Sequence, residues 1–251
     1  MNTILIAGLG LIGGSAGMAL RRRGWRVRFL DPHVSLEDAQ RAGAADERVD
    51  TFTDDQLVLL ATPLDVAIEQ LRTLDTRAVV TSACSVMRAL RDVARGTFIA
   101  GHPLAGSQER GLGAAKADLF EGKPWFVDGD HPLVDELVRD CGAVRERVTA
   151  EEHDAGVALT SHLPQVLSTA LAAYLHERRG DALRFAGGGL RTFLRLAGSD
   201  ASVWAPVLEA NRDNLAPHVE RVAELVRELM DGDPHGAFAK AQATWRALAA
   251  K

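Results

Sequence analysis

The sequence predicts an α/β fold in which a parallel sheet domain is followed by an all-helical half, and three observations carry that prediction. Up to about residue 148, short apolar runs alternate with amphipathic stretches, the pattern of a parallel sheet wrapped by helices. A glycine-rich segment, Gly8-Leu9-Gly10-Leu11-Ile12-Gly13-Gly14-Ser15, follows the first apolar run directly. Beyond Thr149 every periodic stretch has helical spacing, with no strand signal.

Strands are expected at 3–7, 27–30, 57–61, 78–81, 98–100 and 125–127. These are continuous Ile/Leu/Val runs rather than strict alternations, which suits strands covered on both faces. Helical patterns lie between them at 15–23, 64–74 and 86–95. Thr149-Ala150-Glu151-Glu152 then matches a capping box, in which the threonine and the second glutamate satisfy each other's end of a first helical turn. The boundary is therefore placed there, giving units 1–149 and 150–251. Helices are expected beyond it at 155–161, 166–178, 192–196, 203–214, 219–230 and 237–250, with Leu163-Pro164 read as a local helix break.

Bulk composition narrows the class of partner. Lysine and arginine number 29 against 34 acidic residues, so the net charge is -5 and no basic stripe exists to attract nucleic acid or anionic lipid. The cluster Arg21-Arg22-Arg23 ends a predicted helix and reads as a solvated last turn that complements the helix dipole. Cys84 and Cys141 have neither metal spacing nor the numbers for a disulfide framework. A reduced, cytoplasmic setting is expected, with no metal. The apolar start Ile4-Leu5-Ile6-Ala7 lacks a preceding basic region, so it does not read as a signal peptide. No run approaches the roughly 18 apolar residues that span a bilayer.

The glycine segment reads as strand, tight turn and helix start, the signature of a Rossmann-type domain. Gly8 permits the turn, Gly10 lets the backbone approach a pyrophosphate, and Gly13 lets helix and strand pack closely. Leu11 and Ile12 open the helix, whose N-terminal N–H groups favour phosphate. The second strand ends in Asp31, at the distance expected of a carboxylate that accepts the ribose hydroxyls. Asp31 repels a 2′-phosphate and Pro32-His33 supplies no arginine to welcome one, so the expected cofactor is NAD rather than NADP.

In an open parallel sheet, ligands bind beyond the carboxyl ends of the strands. Thr62-Pro63, Ser82-Ala83-Cys84-Ser85 and Gly101-His102-Pro103 all sit at such ends. Histidine titrates nearest neutral pH, so His102 is a candidate to take a proton from a substrate hydroxyl, with Ser85 sharing that hydroxyl. A second histidine, His162, precedes Leu163-Pro164 and is aimed at the same cleft by the expected break.

These segments, in order and spacing, resemble the prephenate/arogenate dehydrogenase family. The resemblance rests on the glycine loop, on Gly101-His102-Pro103-Leu104-Ala105-Gly106-Ser107, on His153-Asp154 with Ser161-His162-Leu163-Pro164, and on Gly187-Gly188-Gly189-Leu190-Arg191 with Arg195-Leu196-Ala197-Gly198-Ser199-Asp200, Trp204 and Asn211. It covers nearly the whole chain. It implies oxidation of a ring hydroxyl with a nicotinamide cofactor and loss of CO2 as the ring aromatises, a step of tyrosine biosynthesis. It further implies that His102 and Ser85 are catalytic, and that His162, Arg195, Ser107, Gln108, Gly188 and Trp204 hold substrate, some of them across a homodimer interface. The substrate would be a small dicarboxylate, which a guanidinium such as Arg195 suits.

Two positions depart from the family pattern. Many relatives have aspartate three residues before the serine and lysine two after it, where this chain has Ser82 and Met87. An acidic residue frequent in the family is replaced by Gln108, a neutral amide that tilts the expectation towards prephenate over the ammonium-bearing arogenate. Two rivals are weaker. A β-hydroxyacid-type dehydrogenase relies on a lysine in its helical half, where only Lys240 stands between Lys123 and Lys251. An NAD-sensing scaffold has no need of His102, Ser85, His162 and Arg195 together. Apolar stretches of the helical half, including 167–175 and 219–230, predict pairing with a second copy.

Overall fold

The computed structural model describes residues 1–106, 109–178 and 181–249. Among them, eight strands form one sheet: β1 (Thr3–Ala7), β2 (Arg26–Leu30), β3 (Glu47–Arg48), β4 (Leu57–Leu60), β5 (Val79–Ser82), β6 (Phe98–Pro103), β7 (Pro124–Asp128) and β8 (Val144–Arg147). Their order is β3-β2-β1-β4-β5-β6-β7-β8. The centre strands β1 and β4 carry uninterrupted buried aliphatic residues, as strands covered on both faces must.

Every pairing is parallel except β6 with β7, which is antiparallel. The expected parallel sheet is found, with this one pairing reversed. Returning in parallel needs a long crossover, usually a helix, and between Leu104 and Lys123 the described chain forms only a 3₁₀ turn at Leu112–Ala114. Two strands were not foreseen. β3 is two residues long, and β8 is the polar edge segment Val-Arg-Glu-Arg, which carries no apolar run to announce it.

Helices α1 (Leu11–Arg22), α2 (Leu36–Arg41), α3 (Leu64–Thr73), α4 (Arg88–Arg91) and α5 (Pro132–Asp140) accompany the sheet. The helix expected at 86–95 shrinks to the four residues of α4. After the sheet come α6 (Ala150–Val157), α7 (Leu163–Glu177), α8 (Gly188–Phe193), α9 (Ala201–Ala210), α10 (Arg212–Asp231) and α11 (Pro234–Ala249). The capping box forms as read: Thr149 accepts from the Glu152 N–H while the Glu152 carboxylate accepts from the Thr149 N–H. No described helix is long and apolar enough to cross a membrane.

The helix break expected at Leu163-Pro164 does not occur. Between α6 and α7 the chain widens into a π-helical turn, Ala158–His162, in which the Leu163 N–H reaches back five residues to the Ala158 carbonyl. Pro164 has no N–H to give the carbonyl four residues earlier, and the local widening carries the helix past it. Inserted turns of this kind concentrate at functional sites.

α1 packs close enough to its neighbours that glycine is obligatory on its inner face. A Cβ on Gly17 would stand 2.1 Å from the Ala44 carbonyl oxygen, a backbone atom that cannot swing away. Gly17→Ala is therefore expected to destabilise by about 1–3 kcal/mol. Gly156→Ala, in α6 with nothing within 4 Å of its added methyl, is expected to stabilise by about 0.5–1 kcal/mol. Urea midpoints of the two variants with opposite signs confirm the packing; equal shifts contradict it.

Candidate active site

The carboxyl ends of β1, β2, β4 and β5 converge on the glycine loop. Gly8 holds a positive φ of 89° where a Cβ would meet the Ala61 carbonyl at 2.7 Å, and a Cβ on Gly13 would fall 2.0 Å from the Gly8 oxygen. Gly10, by contrast, faces open space and caps α1 without any side-chain acceptor. The loop is thus packed tightly behind and left bare in front, with first-turn N–H groups available, which is the form of a pyrophosphate cradle. Asp31 completes it at the end of β2, accepting the Leu9 N–H at 2.8 Å on one oxygen and the His33 N–H at 2.8 Å on the other. Lone pairs remain on both oxygens for hydroxyl donors.

In front of the loop lies a cleft of about 920 Å³. One wall is Gly10, Leu11 and Ile12 with Ala61, Thr62, Pro63, Ala83, Cys84 and Ser85 from the strand ends. The facing wall comes from the helical half and includes Arg195, Leu196, Ser199, Val203 and Trp204. Glu109, Arg110 and Gly111 of the chain after β6 border both. Arg195 is exposed and has no hydrogen-bond or ion-pair partner among the described residues. Ser85, half-buried, likewise makes no protein hydrogen bond. Cys84 lines the cleft too, but burial pushes its thiol up to about 12, so it is a packing residue and not a nucleophile.

His102 lies within β6, held opposite Phe126 by the antiparallel pairing with β7. Its strand is clamped from the other side by Ser82, whose buried hydroxyl donates to the Gly101 carbonyl at 3.0 Å and accepts the Gly101 N–H at 3.2 Å. Its Nδ1 stands 2.9 Å from Nε2 of His153, and Nδ1 of His153 stands 2.8 Å from Oδ1 of Asp154. Asp154 is fully buried and also accepts the Met87 and Arg88 N–H groups, each at 2.9 Å. Because a carboxylate only accepts, His153 donates to it from Nδ1 and offers a lone pair at Nε2. His102 then donates from Nδ1, which leaves its own Nε2 as a lone pair.

His162 receives the opposite polarity. The Asn211 amide nitrogen donates to the Asp154 backbone oxygen at 2.7 Å, which fixes the amide's orientation, and it stands 3.2 Å from Nδ1 of His162. Nδ1 of His162 is thereby the acceptor and Nε2 carries the hydrogen. That Nε2 is buried with no partner, a costly state that an incoming acceptor relieves. The ring meets Trp204 edge-on, centroids 5.8 Å apart. Burial, chiefly, lowers the His102 pKa to about 3, with the neighbouring His153 and His162 imidazoles adding to the effect. Burial likewise lowers His162 to about 4 against the pull of Asp154.

The structure therefore brings Gly10, Leu11, Ile12, Thr62, Pro63, Ser85, Arg195 and Trp204 onto one cleft. Gly8, Gly13 and Asp31 shape the loop behind it, while His102 and His162 are joined by the Asp154 network rather than lining the cleft. Gly188 is not brought to the cleft. It opens the exposed helix α8 with nothing within 4 Å of an added Cβ. Ser107 and Gln108 lie outside the described residues. The roles of His153, Asp154, Asn211 and Ser82 escaped the sequence reading. The adjacency His153-Asp154 was the available signal for the first two, since a carboxylate next to an imidazole is a ready orienting pair.

Comparison with known proteins places the two halves together. Residues 16–151 match the family model for the prephenate dehydrogenase nucleotide-binding domain, and residues 149–231 match that for the prephenate dehydrogenase dimerization domain. A prephenate dehydrogenase of Bacillus subtilis is 30% identical over 91% of this chain and 68% of its own length. A probable prephenate dehydrogenase, NovF, of Streptomyces niveus is 34% identical over 93% of this chain and 71% of its own. Among solved structures, prephenate dehydrogenase from A. aeolicus, in complex with hydroxyphenyl propionate and NAD+, superposes with a TM-score of 0.84 at 26% identity. That match covers 99% of this chain and 96% of the other.

The two depressed histidines make stability pH-dependent in a defined window. In the unfolded chain a histidine protonates near pH 6.5, whereas the folded chain keeps both neutral down to about 4. The unfolded state therefore binds more protons as pH falls from about 6.5 towards 4, and stability is lost across that window. Carboxylates whose pKa values lie below their usual range act only lower, so the upper part of the window belongs to histidine. Urea midpoints should decline between about pH 6.5 and 5 and be flatter in His162→Gln; an unchanged slope in that variant would contradict the buried neutral imidazole.

Proposed function

The chain belongs to the prephenate dehydrogenase family, and from that premise we propose that it oxidises prephenate with NAD and releases CO2, forming 4-hydroxyphenylpyruvate for tyrosine biosynthesis. The observation that carries the reading is the relay Asp154–His153–His102, which ends in an imidazole lone pair, in a fold whose cleft is floored by a dinucleotide loop. When bound, NAD supplies the acceptor for a hydride from the ring carbon. The residues proposed to hold it are Gly8, Gly10, Leu11, Ile12, Gly13, Asp31, Thr62 and Pro63. The bare loop and the unoccupied lone pairs of Asp31 support that assignment.

His102 is proposed to take the proton of the ring hydroxyl at Nε2. A base held neutral by burial is a weak one, yet the hydroxyl proton becomes strongly acidic as its carbon turns into a carbonyl, so little basicity is required. Asp154 stabilises the imidazolium that forms, through His153, in the manner of a catalytic triad. Ser85 orients the same hydroxyl with a side chain that no protein group engages. Arg195 is proposed to pair with a substrate carboxylate, supported by its unpaired guanidinium on the cleft wall. His162, with its unpartnered N–H, and Trp204 beside it are proposed to border the substrate, as are Ser107 and Gln108.

The helical half, 150–251, is proposed to hold substrate and to dimerise, and 1–149 to bind the nucleotide, in a cytoplasmic enzyme. Exposed apolar side chains on α10 and α11, including Val226, Met230, Phe238, Trp245 and Leu248, support a contact with a second copy. A residue such as Gly188, which does not line this chain's cleft, would then serve the partner's.

Following the near-ultraviolet absorbance of reduced NAD with prephenate as substrate tests the activity directly. His102→Asn should lower kcat at least about 100-fold with NAD affinity unchanged, and full turnover would remove His102 from the mechanism. Arg195→Gln should chiefly raise the KM for prephenate; a pure kcat defect would argue against carboxylate binding. Sedimentation at micromolar concentration should give a dimer, and a monomer there would refute the proposed assembly.

A further inference from the structure

Three charged side chains line the described part of the cleft, and two of them are guanidinia: Arg195 on the helical wall and Arg110 on the chain after β6. Arg110 reaches across the cleft mouth to Asp200, the cap of α9, with Nη1 donating to Oδ2 at 2.7 Å. The contact is single-point. Of the five donors a guanidinium carries, the described residues engage one. Asp200 is by contrast engaged at both oxygens, the other one accepting the Ser202 N–H at 2.9 Å and the Ser202 hydroxyl at 2.8 Å. Asp200 is therefore a fixed post, and Arg110 leans on it with most of its hydrogen-bonding edge turned to spare. At 52% side-chain exposure Arg110 meets solvent, and its place on the cleft lining makes that spare edge reachable by a ligand.

Two cations facing a dianion raise the question of which charge each one meets. The substrate proposed above carries one carboxylate on the ring and one on its three-carbon side chain. The ring carboxylate leaves as neutral CO2, so a cation paired with it would stabilise charge that disappears in the transition state and would slow the reaction. The side chain keeps its charge throughout. A cation there adds binding without raising the barrier. Both guanidinia are thus best spent at the side-chain end, where the next atom along is either a keto oxygen, which accepts hydrogen bonds, or an ammonium, which donates them and carries positive charge.

Resting on the proposed function, we propose that Arg110 is a specificity-determining residue, its free guanidinium edge donating to the oxygens of an oxo-acid side chain and repelling an ammonium on the same carbon. Asp200 holds the group in position and moderates its charge. A mere latch between the two halves is the competing role for the same ion pair, and the two roles differ in sign. If Arg110 acts on substrate, neutralising Asp200 unmasks the cation and sharpens the preference for the oxo acid; if the pair is a latch, removing either partner has the same effect.

The test is steady-state kinetics of the full chain with NAD and, side by side, prephenate and its amino counterpart arogenate. Arg110→Gln is expected to lower kcat/KM for prephenate by about tenfold to a hundredfold, the scale of one lost charged hydrogen-bonding contact. The fall should lie in KM, with kcat/KM for arogenate unchanged or higher. Asp200→Asn, which keeps a competent helix cap, should move the prephenate-to-arogenate ratio the opposite way. Equal effects of Arg110→Gln on both substrates, no effect, or a shift in the same direction from both variants would overturn the proposal. A wild-type chain that oxidises neither substrate fails the functional reading itself, an outcome distinct from any change in the ratio.

Discussion

The buried carboxylate of Asp154 is the constraint around which the two halves of this molecule are arranged. An ionised group with no solvent exposure is tolerated only where several donors converge on it. Here the hydrogen bonds come from two directions. Met87 and Arg88 supply backbone N–H groups from the start of α4, His153 supplies an imidazole N–H from its own helix, and the Arg88 guanidinium stands 3.8 Å off while pairing with Asp213 of α10. Sheet-side loop, α6 and α10 are thereby held in one register. The segment Ala83–Val86, which carries Ser85 to the cleft, enters that register because its next two residues are the donors. Removing the carboxylate would orphan those donors as well as loosening the join.

The same network sorts histidines by polarity. Asp154 sends a chain of donations that leaves Nε2 of His102 as an acceptor, while its backbone oxygen fixes Asn211, which leaves Nε2 of His162 as a donor. Both rings are kept neutral by burial, so the distinction comes from tautomer and not from charge. Neutrality also suits a site that must take in an anion. Two imidazolium ions near the cleft would bind carboxylate indiscriminately, whereas neutral rings leave the attraction to Arg195 and Arg110, whose positions on the cleft wall are specific.

Much of this architecture could be read from residues in order along the chain. The glycine loop, the first five long strands and the capping box at Thr149 are local patterns, and local patterns survive folding because they are set by backbone sterics and burial period. What escaped had a non-local cause. β8 is polar because one of its sides meets solvent, and its strand character comes from pairing with β7. The reversal of β7 depends on what the linking chain fails to form. Pro164 reads as a stop signal, and the helix passes it by widening, with Leu163, Gln165 and Ser168 buried around the proline. In the site, single residues such as His102 and Arg195 stood out by type, but the relay needed His153 and Asp154 to meet β6 from fifty residues away.

The departures at Ser82 and Met87 find their physical account in the same place. Where an aspartate and a lysine are common in the family, this chain has a buried hydroxyl and a buried thioether. Ser82 clamps the backbone of Gly101, the residue before His102. A side chain at Gly101 would collide with the Ser82 backbone carbonyl at 2.8 Å, so the close approach of the two strands requires glycine there. Met87 packs its side chain with Ala100 and Ala150 and gives its N–H to Asp154. The loop is therefore fastened through main-chain donors, which are present whatever side chain stands at 87. A charged pair at these buried positions would have to be desolvated, a cost that a hydroxyl and a thioether avoid.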